Sequence, residues 1–269
     1  MRYFLETSYK GTAYSGFQVQ QNANTIQAEI EKALSVYFKQ SFALTGSSRT
    51  DTGVHALQNY FHFDVKQPLI DNKISRISEP SKISSPARDS WEAVYHLNAI
   101  LPRDIVIKRI FSVEDNAHCR FDAVSREYSY FIYQKKDPFL EDRAFYFPYK
   151  IDVDLLQQCA KTILLYSDFT SFSKRNTQVH NFICDIQKSE WTSEKNMLIY
   201  SVRSNRFLRG MVKALVATML RAGTQRISVD DFENIIKNRD CAKADFSVPS
   251  HGLFLVRVEY NSKLLSGTD

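Results

Sequence analysis

Residues 46–56, Gly-Ser-Ser-Arg-Thr-Asp-Thr-Gly-Val-His-Ala, place small hydroxyls, the guanidinium of Arg49, the carboxylate of Asp51 and the imidazole of His55 in a turn between two apolar strands. Loops held by rigid elements are where binding and catalytic groups concentrate. Two plainer readings compete with chemistry here. A carboxylate beside Gly53 also serves as an Asx-turn acceptor that holds the loop. Arg49 and Asp51, on one side of an extended loop, also form a surface ion pair worth under about 1 kcal/mol. The loop's composition leaves all three open.

A second concentration of functional groups lies at 201–229, where Arg203, Arg206, Arg209, Lys213, Arg221 and Arg226 occur with no acidic residue between them. Phosphates seek such a local positive field; the alternative is a solvated helix face. His62, His96, His118, His180 and His251 show no paired spacing, so no metal site is expected.

The elements that must position these groups follow from periodicity. Residues 2–9 alternate as a half-buried strand, and Asn24 with Gln27 three residues on forms a capping-box pattern. Ile26, Ile30, Ala33, Leu34, Tyr37 and Phe38 then mark one helical face. Strands are expected at 41–46, around Leu57, Phe61, Phe63 and Val65, and at 105–113, with a helix at 91–101 before the last of these. The second half repeats this order. It has strands at 126–133, 182–191, 197–204 and 253–260, and helices at 153–166, from Arg206 to about Ala222, and after Ser228, which is capped with Asp231. On the long basic helix Arg206, Arg209 and Lys213 fall at i, i+3 and i+7, hence on one face, with Leu208, Met211, Val212, Leu215 and Met219 covering the other. Two successive β-α-β-β-α-β units predict an α+β protein of two ferredoxin-like, split βαβ units with antiparallel sheets. The expected division is an N-terminal domain at 1–113 bearing the Asp51 loop and a C-terminal domain at 114–269. Residues 66–90, with six Ser and three Pro, form an exposed insertion without chemistry of its own.

Composition excludes several classes. The chain has 269 residues, 43% of them apolar and 24% charged, which fits a folded globular protein and neither a disordered chain nor a fibrous repeat. Four cysteines without a CxxC pair suit buried thiols in a reducing compartment. The N-terminal residues do not read as a signal peptide, and no stretch of about 18 apolar residues offers a membrane span. A cytoplasmic protein is expected. The net charge of +5 is too mild to establish a nucleic-acid partner by itself.

The run Arg49-Thr-Asp-Thr-Gly-Val-His-Ala56 resembles the signature of the TruA-type tRNA pseudouridine synthases. Five further segments are similar to that family in the same order: 9–20, Phe121 with 126–130, 168–172, 205–213 and 252–260. The resemblance spans nearly the whole chain except 66–90.

It implies an isomerase that breaks the N-glycosidic bond of a uridine, turns the uracil and rejoins it through C5, a reaction needing neither a redox cofactor nor a metal. No cofactor is expected. The family's catalytic aspartate falls on Asp51, which either attacks C1′ or removes a C2′ proton. Lys213 falls on its basic partner, where the family more often has arginine. A lysine lacks the planar fork, so Arg209 is an alternative partner. Tyr128 is the implied stacking residue of the uracil and the candidate base for the C5 proton, its phenol having an ordinary pKa near 10. Its neighbour Tyr130 reads as a core aromatic. The target base must flip out of its stack, and Arg49 is implied to fill the gap and hold phosphate. Arg206 and Arg209 bind substrate, and His55 holds the loop. The resemblance further implies uridines at positions 38–40 of the tRNA anticodon stem-loop, a homodimer, and tRNA lying in a central basic cleft. Two rival readings remain: a catalytically silent RNA-binding protein, and a synthase acting on another RNA, such as a small nuclear or messenger RNA.

Overall fold

The computed structural model describes residues 1–69, 86–175 and 179–265. The chain divides into two compact units, one made of 1–124 with 258–269 and the other of 125–257. Both combine helices with mostly antiparallel strands, an α+β architecture.

In the first unit β1 (Arg2–Tyr9) lies between β3 (His55–Asp64) and β4 (Ile105–Val113), antiparallel to both, with Leu5 opposite Phe61 on one side and Ile110 on the other. Helices α1 (Ile26–Phe38) and α2 (Pro86–Ile100) belong to the same unit. The side chain of Asn98 on α2 exchanges two 2.8 Å hydrogen bonds with the backbone N–H and carbonyl of Ile107, which pins α2 to β4. The opposite face is covered as well. Tyr260 packs edge-on against Phe4 and Tyr60, and its hydroxyl donates to the Cys119 carbonyl at 2.6 Å. With both faces covered, β3 is buried from Asn59 to Phe63 without the expected alternation.

In the second unit β5 (Ala123–Tyr133) pairs in parallel with the short β6 (Phe145–Tyr146), and β8 (Met197–Ser204) lies between β5 and β7 (Ile186–Glu194), pairing Tyr200 with Tyr130 on one side and with Trp191 on the other. Helices α3 (Val153–Ile163), α4 (Met211–Gly223) and α5 (Val229–Asn238) belong with this sheet. The Trp191 indole N–H points at the Met219 sulfur on α4 at 3.4 Å, and the Trp191 amide donates to Gln157 on α3 at 2.9 Å. The last strand, β9 (Leu253–Tyr260), contributes to both units.

The strands at 2–9, 105–113, 197–204 and 253–260 stand where periodicity places them, and Ser228 and Asp231 form the expected capping box. Other boundaries differ for physical reasons. The cap of α1 is Thr25, whose hydroxyl accepts from Ala28 N–H, while the Gln27 side chain donates to the Leu44 carbonyl and to Glu31. That link ties the 41–46 stretch to α1 and leaves only Thr45–Gly46 (β2) paired as strand. Helix α2 starts at Pro86, earlier than expected, as a proline at the first helical position allows. Most of the expected 66–90 insertion, residues 70–85, lies outside the described residues. Leu57, which shares the period-two face of Phe61 and Phe63, is 48% exposed.

The largest correction concerns the basic helix. It begins at Met211, and its N-cap Gly210 has φ of 76°, so Arg206 and Arg209 precede it and do not share a helix face with Lys213. A left-handed glycine breaks the run of helical dihedrals there, and an apolar periodicity that continues through Leu208 does not register it.

Candidate active site

The Asp51 loop is held from several sides. The Val54 amide donates to the Asp51 carbonyl at 3.2 Å, and Gly53 has φ of 78°, the third position of a turn that needs a positive φ. The Phe17 amide donates to the Thr50 carbonyl at 3.1 Å, and the Gly11 amide to His55 Nδ1 at 3.2 Å. His55 is 2% exposed, so its imidazole fixes the loop against the segment after β1, as expected. Behind the loop sits Asn59. Its Oδ1 accepts from the Ser47 hydroxyl at 2.8 Å, and its Nδ2 donates to Tyr9 Oη and to the Ser48 carbonyl, each at 3.1 Å. Sequence patterning did not single out Asn59, because an amide inside a strand of aromatics carries no motif; its full burial against the following loop was the missing signal.

This packing leaves the two ends of the loop's chemistry in different states. Ser47, Ser48 and Thr50 are buried, Asp51 is half-buried and Arg49 is exposed. A rigid backbone thus carries a carboxylate and a guanidinium that remain accessible.

Tyr128, Arg206, Arg209 and Lys213 belong to the second unit. Tyr128 is half-buried on β5 and meets Phe207 edge-on, ring centres 5.0 Å apart, which joins the tyrosine to the basic segment. Asn205 starts that segment: its side chain accepts from the Asp185 amide at 3.0 Å, and its carbonyl accepts from the Arg126 guanidinium at 3.1 Å. The Lys174 amide donates to the Arg209 carbonyl at 3.0 Å, which fixes the turn before Gly210, while the Arg209 side chain is exposed. Lys213 lies in the first turn of α4, a helix otherwise buried except at Arg221, and donates to Ser250 Oγ at 3.1 Å. Tyr130 is fully buried, with its hydroxyl on the Pro249 carbonyl at 2.7 Å; burial raises its pKa, and it is a core residue.

Spacing also missed a cluster of donor groups. His62, His118 and Cys119 place their ligand atoms within 4.8 Å of one another, because β3 runs beside the turn that precedes β5. Their lone pairs are largely engaged already. His62 Nδ1 faces the Cys119 amide at 3.3 Å and its sulfur at 3.1 Å, and His118 Nδ1 accepts from the Arg120 and Phe121 amides at 3.1 and 3.3 Å. Burial, assisted by Arg2, pushes the His62 pKa down to about 4 and lowers that of His118, so both rings are neutral acceptors at neutral pH. A metal would bind only by displacing these bonds. Burial raises the thiols of Cys159 and Cys184 to about 12 and about 11, which leaves them unreactive.

The model of a family described as tRNA pseudouridine synthase matches residues 7–122 and 166–261. The chain belongs to the tRNA pseudouridine synthase family. That match contains Arg49, Asp51, Arg206, Arg209 and Lys213, and Tyr128 falls between its two parts. The chain is 38% identical over 268 residues to tRNA pseudouridine synthase A of Parabacteroides distasonis, covering 100% of this chain and 99% of that one. It is 38% identical to the same enzyme of Porphyromonas gingivalis, covering 98% of each. It is 35% identical to that of Bacillus subtilis, over 97% of this chain and all of the relative. Pseudouridine synthases are isomerases, and this chain is one. Among the described residues no helix is long and apolar enough to cross a membrane.

Proposed function

We propose that the protein converts uridine to pseudouridine in tRNA, at positions 38–40 of the anticodon stem-loop, with Asp51 as the group that engages the ribose. The observation that carries this reading is the state of Asp51: its backbone is clamped by Gly53, Thr50 and His55 while its side chain is only half-buried. Backbone amides, Asn59 and His55 hold the loop, so among the described residues its positioning does not draw on the Asp51 carboxylate. Asp51 either attacks C1′ or removes the C2′ proton, and the freed uracil turns and bonds through C5.

Lys213 supplies the cationic partner of Asp51. Its place in the first turn of α4 supports the role, since the lysine and the helix N-terminus both favour an anion. Arg209, on the turn before the helix, is the alternative partner. Tyr128 stacks on the uracil and takes the C5 proton, Arg49 fills the gap left by the flipped base, and Arg206 with Arg209 binds the tRNA backbone. In this reading residues 1–113 carry the catalytic loop and 114–269 the tyrosine and the basic segment. The two domains are ferredoxin-like units with a central basic cleft, and the enzyme acts as a cytoplasmic homodimer without a cofactor.

Release of tritium from tRNA labelled at uracil C5 tests the reading. Wild-type protein should release it and Asp51→Ala should not, while both bind tRNA. Mapping the product should place pseudouridine at 38–40. Binding without release by the wild type would make the protein a silent RNA binder.

A further inference from the structure

A groove of about 360 Å³ opens beside the Asp51 loop in the first unit, lined among others by Gln18, Thr45, Arg49, His118, Arg120 and Phe121. That volume lies at the low end of small-ligand sites, roughly 300–1,000 Å³, and suits one planar base more than a large ligand. Two guanidinium groups line it, and none of its lining residues is acidic.

Phe121 is its unusual member. The side chain is 75% exposed, a position that ordinarily carries a polar residue. It is nevertheless held in place. The His118 ring lies against it with centres 4.2 Å apart, and the His118 Nδ1 that accepts the Phe121 amide fixes the turn beneath it. His118 in turn packs edge-on against the buried His62, 4.6 Å between centres, and the Arg2 guanidinium donates to the Ala117 carbonyl at 2.7 Å while gripping Asp64 with two 2.8 Å bonds. Arg120 lies 5.9 Å from the Phe121 ring centre. An exposed aromatic ring seated on the half-buried His118, with Arg120 beside it and Arg49 lining the same groove, is a stacking platform: the ring offers a π-face to any base, and the guanidinium groups meet the phosphates.

We infer that this groove binds an unpaired nucleotide flanking the target uridine, with its base stacked on Phe121 and its phosphate on Arg120. The inference rests on the proposed function, since Arg49 lines the groove two residues from Asp51. The occupant is RNA because the lining is cationic and aromatic with no carboxylate to repel phosphate.

Binding of unmodified tRNA by the full-length protein tests it, separately from tritium release. Phe121→Leu keeps an apolar side chain on His118 but removes the π-face, and should weaken tRNA binding about 10-fold. Phe121→Trp should restore it. Arg120→Gln should lower the salt dependence of binding by about one phosphate contact. An anticodon stem-loop carrying 2-aminopurine beside the target uridine should be quenched by wild-type protein and brighter with Phe121→Leu at saturation. Because Phe121 is exposed, the thermal midpoint should not move. Unchanged affinity and unchanged quenching in Phe121→Leu would overturn the groove assignment even if tritium release establishes the reaction. Conversely, tight binding with the expected quenching but no tritium release would uphold the groove and remove the catalytic reading.

Discussion

The hydroxyls of Tyr9 and Thr50 lie 2.9 Å apart in a buried hydrogen bond, so the end of the first strand is fastened to the residue before Asp51. Asn59 completes the same network, with its amide shared between Tyr9, Ser47 and Ser48. All of these are buried, and none is available to substrate.

Asn59→Leu should therefore damage both stability and turnover. The Ser48 carbonyl and the Ser47 hydroxyl each lose a buried hydrogen bond to Asn59, worth about 0.5–1.5 kcal/mol net, and a leucine cannot replace the bond to Tyr9 either. Urea unfolding should show a loss of about 2–4 kcal/mol. Single-turnover tritium release should fall more than tRNA affinity does, because the backbone carrying Asp51 is loosened while Arg206 and Arg209 are untouched. Equal losses in both would show that the network acts through global stability alone.

Much of this arrangement is legible in the residues themselves. Strands with a clean boundary in sequence, such as β4 and β8, and the Ser228 cap of α5 stand where pattern puts them, because each is set by local chemistry. The loop at 46–56 stands out for a different reason: Gly53 shapes its turn and His55 holds it, and a carboxylate at Asp51 is an unusual type between apolar strands. What the pattern misses is long-range. Asn59, the His62–His118–Cys119 cluster and the burial of both faces of β3 come from residues brought together across the chain, which periodicity does not register. The false extension of α4 to Arg206 has the opposite cause. Apolar spacing continued through a glycine that a backbone dihedral, not a side chain, makes decisive.

Acid should destabilise the protein over two overlapping pH ranges. Burial depresses the His62 pKa from 6.5 to about 4, so between those values the unfolded chain binds a proton that the folded chain refuses. Stability from this residue is complete above about pH 6.5 and is lost as pH falls toward 4, by about 2–3 kcal/mol at ~1.4 kcal/mol per unit. A second loss follows at lower pH. Burial opposes the charge on Glu6, but hydrogen bonds from Gln58 and Arg109 outweigh it and hold the carboxyl below its ordinary value of 4.5. Its contribution is present above that value and disappears on protonation. Urea midpoints at pH 7, 5 and 4 should fall in steps for the wild type. His62→Gln should flatten the fall from pH 7 to 5 and reduce, without abolishing, the fall from 5 to 4, and a wild-type midpoint that is constant from pH 7 to 5 contradicts the account.

Gly210→Ala should cost about 1 kcal/mol or more, since φ of 76° strains an L-residue and the new methyl would meet Lys174 Cγ at 3.0 Å. The strain falls at the joint between Arg209 and α4. Thermal unfolding should shift down, and tRNA affinity should fall with it as Arg206 and Arg209 lose their fixed positions. An alanine variant with wild-type stability would mean that the turn relaxes freely.

Lys213 offers the sharpest separation of stability from function. A cation in the first turn of a helix opposes the dipole by about 0.3–1 kcal/mol, and α4 gains nothing from it in packing that a methionine would not supply. The hydrogen bond to Ser250 is a modest offset of about 1 kcal/mol. Lys213→Met should therefore leave the thermal midpoint unchanged or slightly raised. With Lys213 as the proposed cationic partner of Asp51, the same variant should lower single-turnover tritium release by about 100-fold or more, on the scale of removing one electrostatic group from an active site. Lys213→Arg, which keeps the charge and adds a fork, should recover most of the rate. A stable Lys213→Met enzyme releasing tritium within a few-fold of wild type would transfer the role to Arg209, and Arg209→Met would then carry the loss.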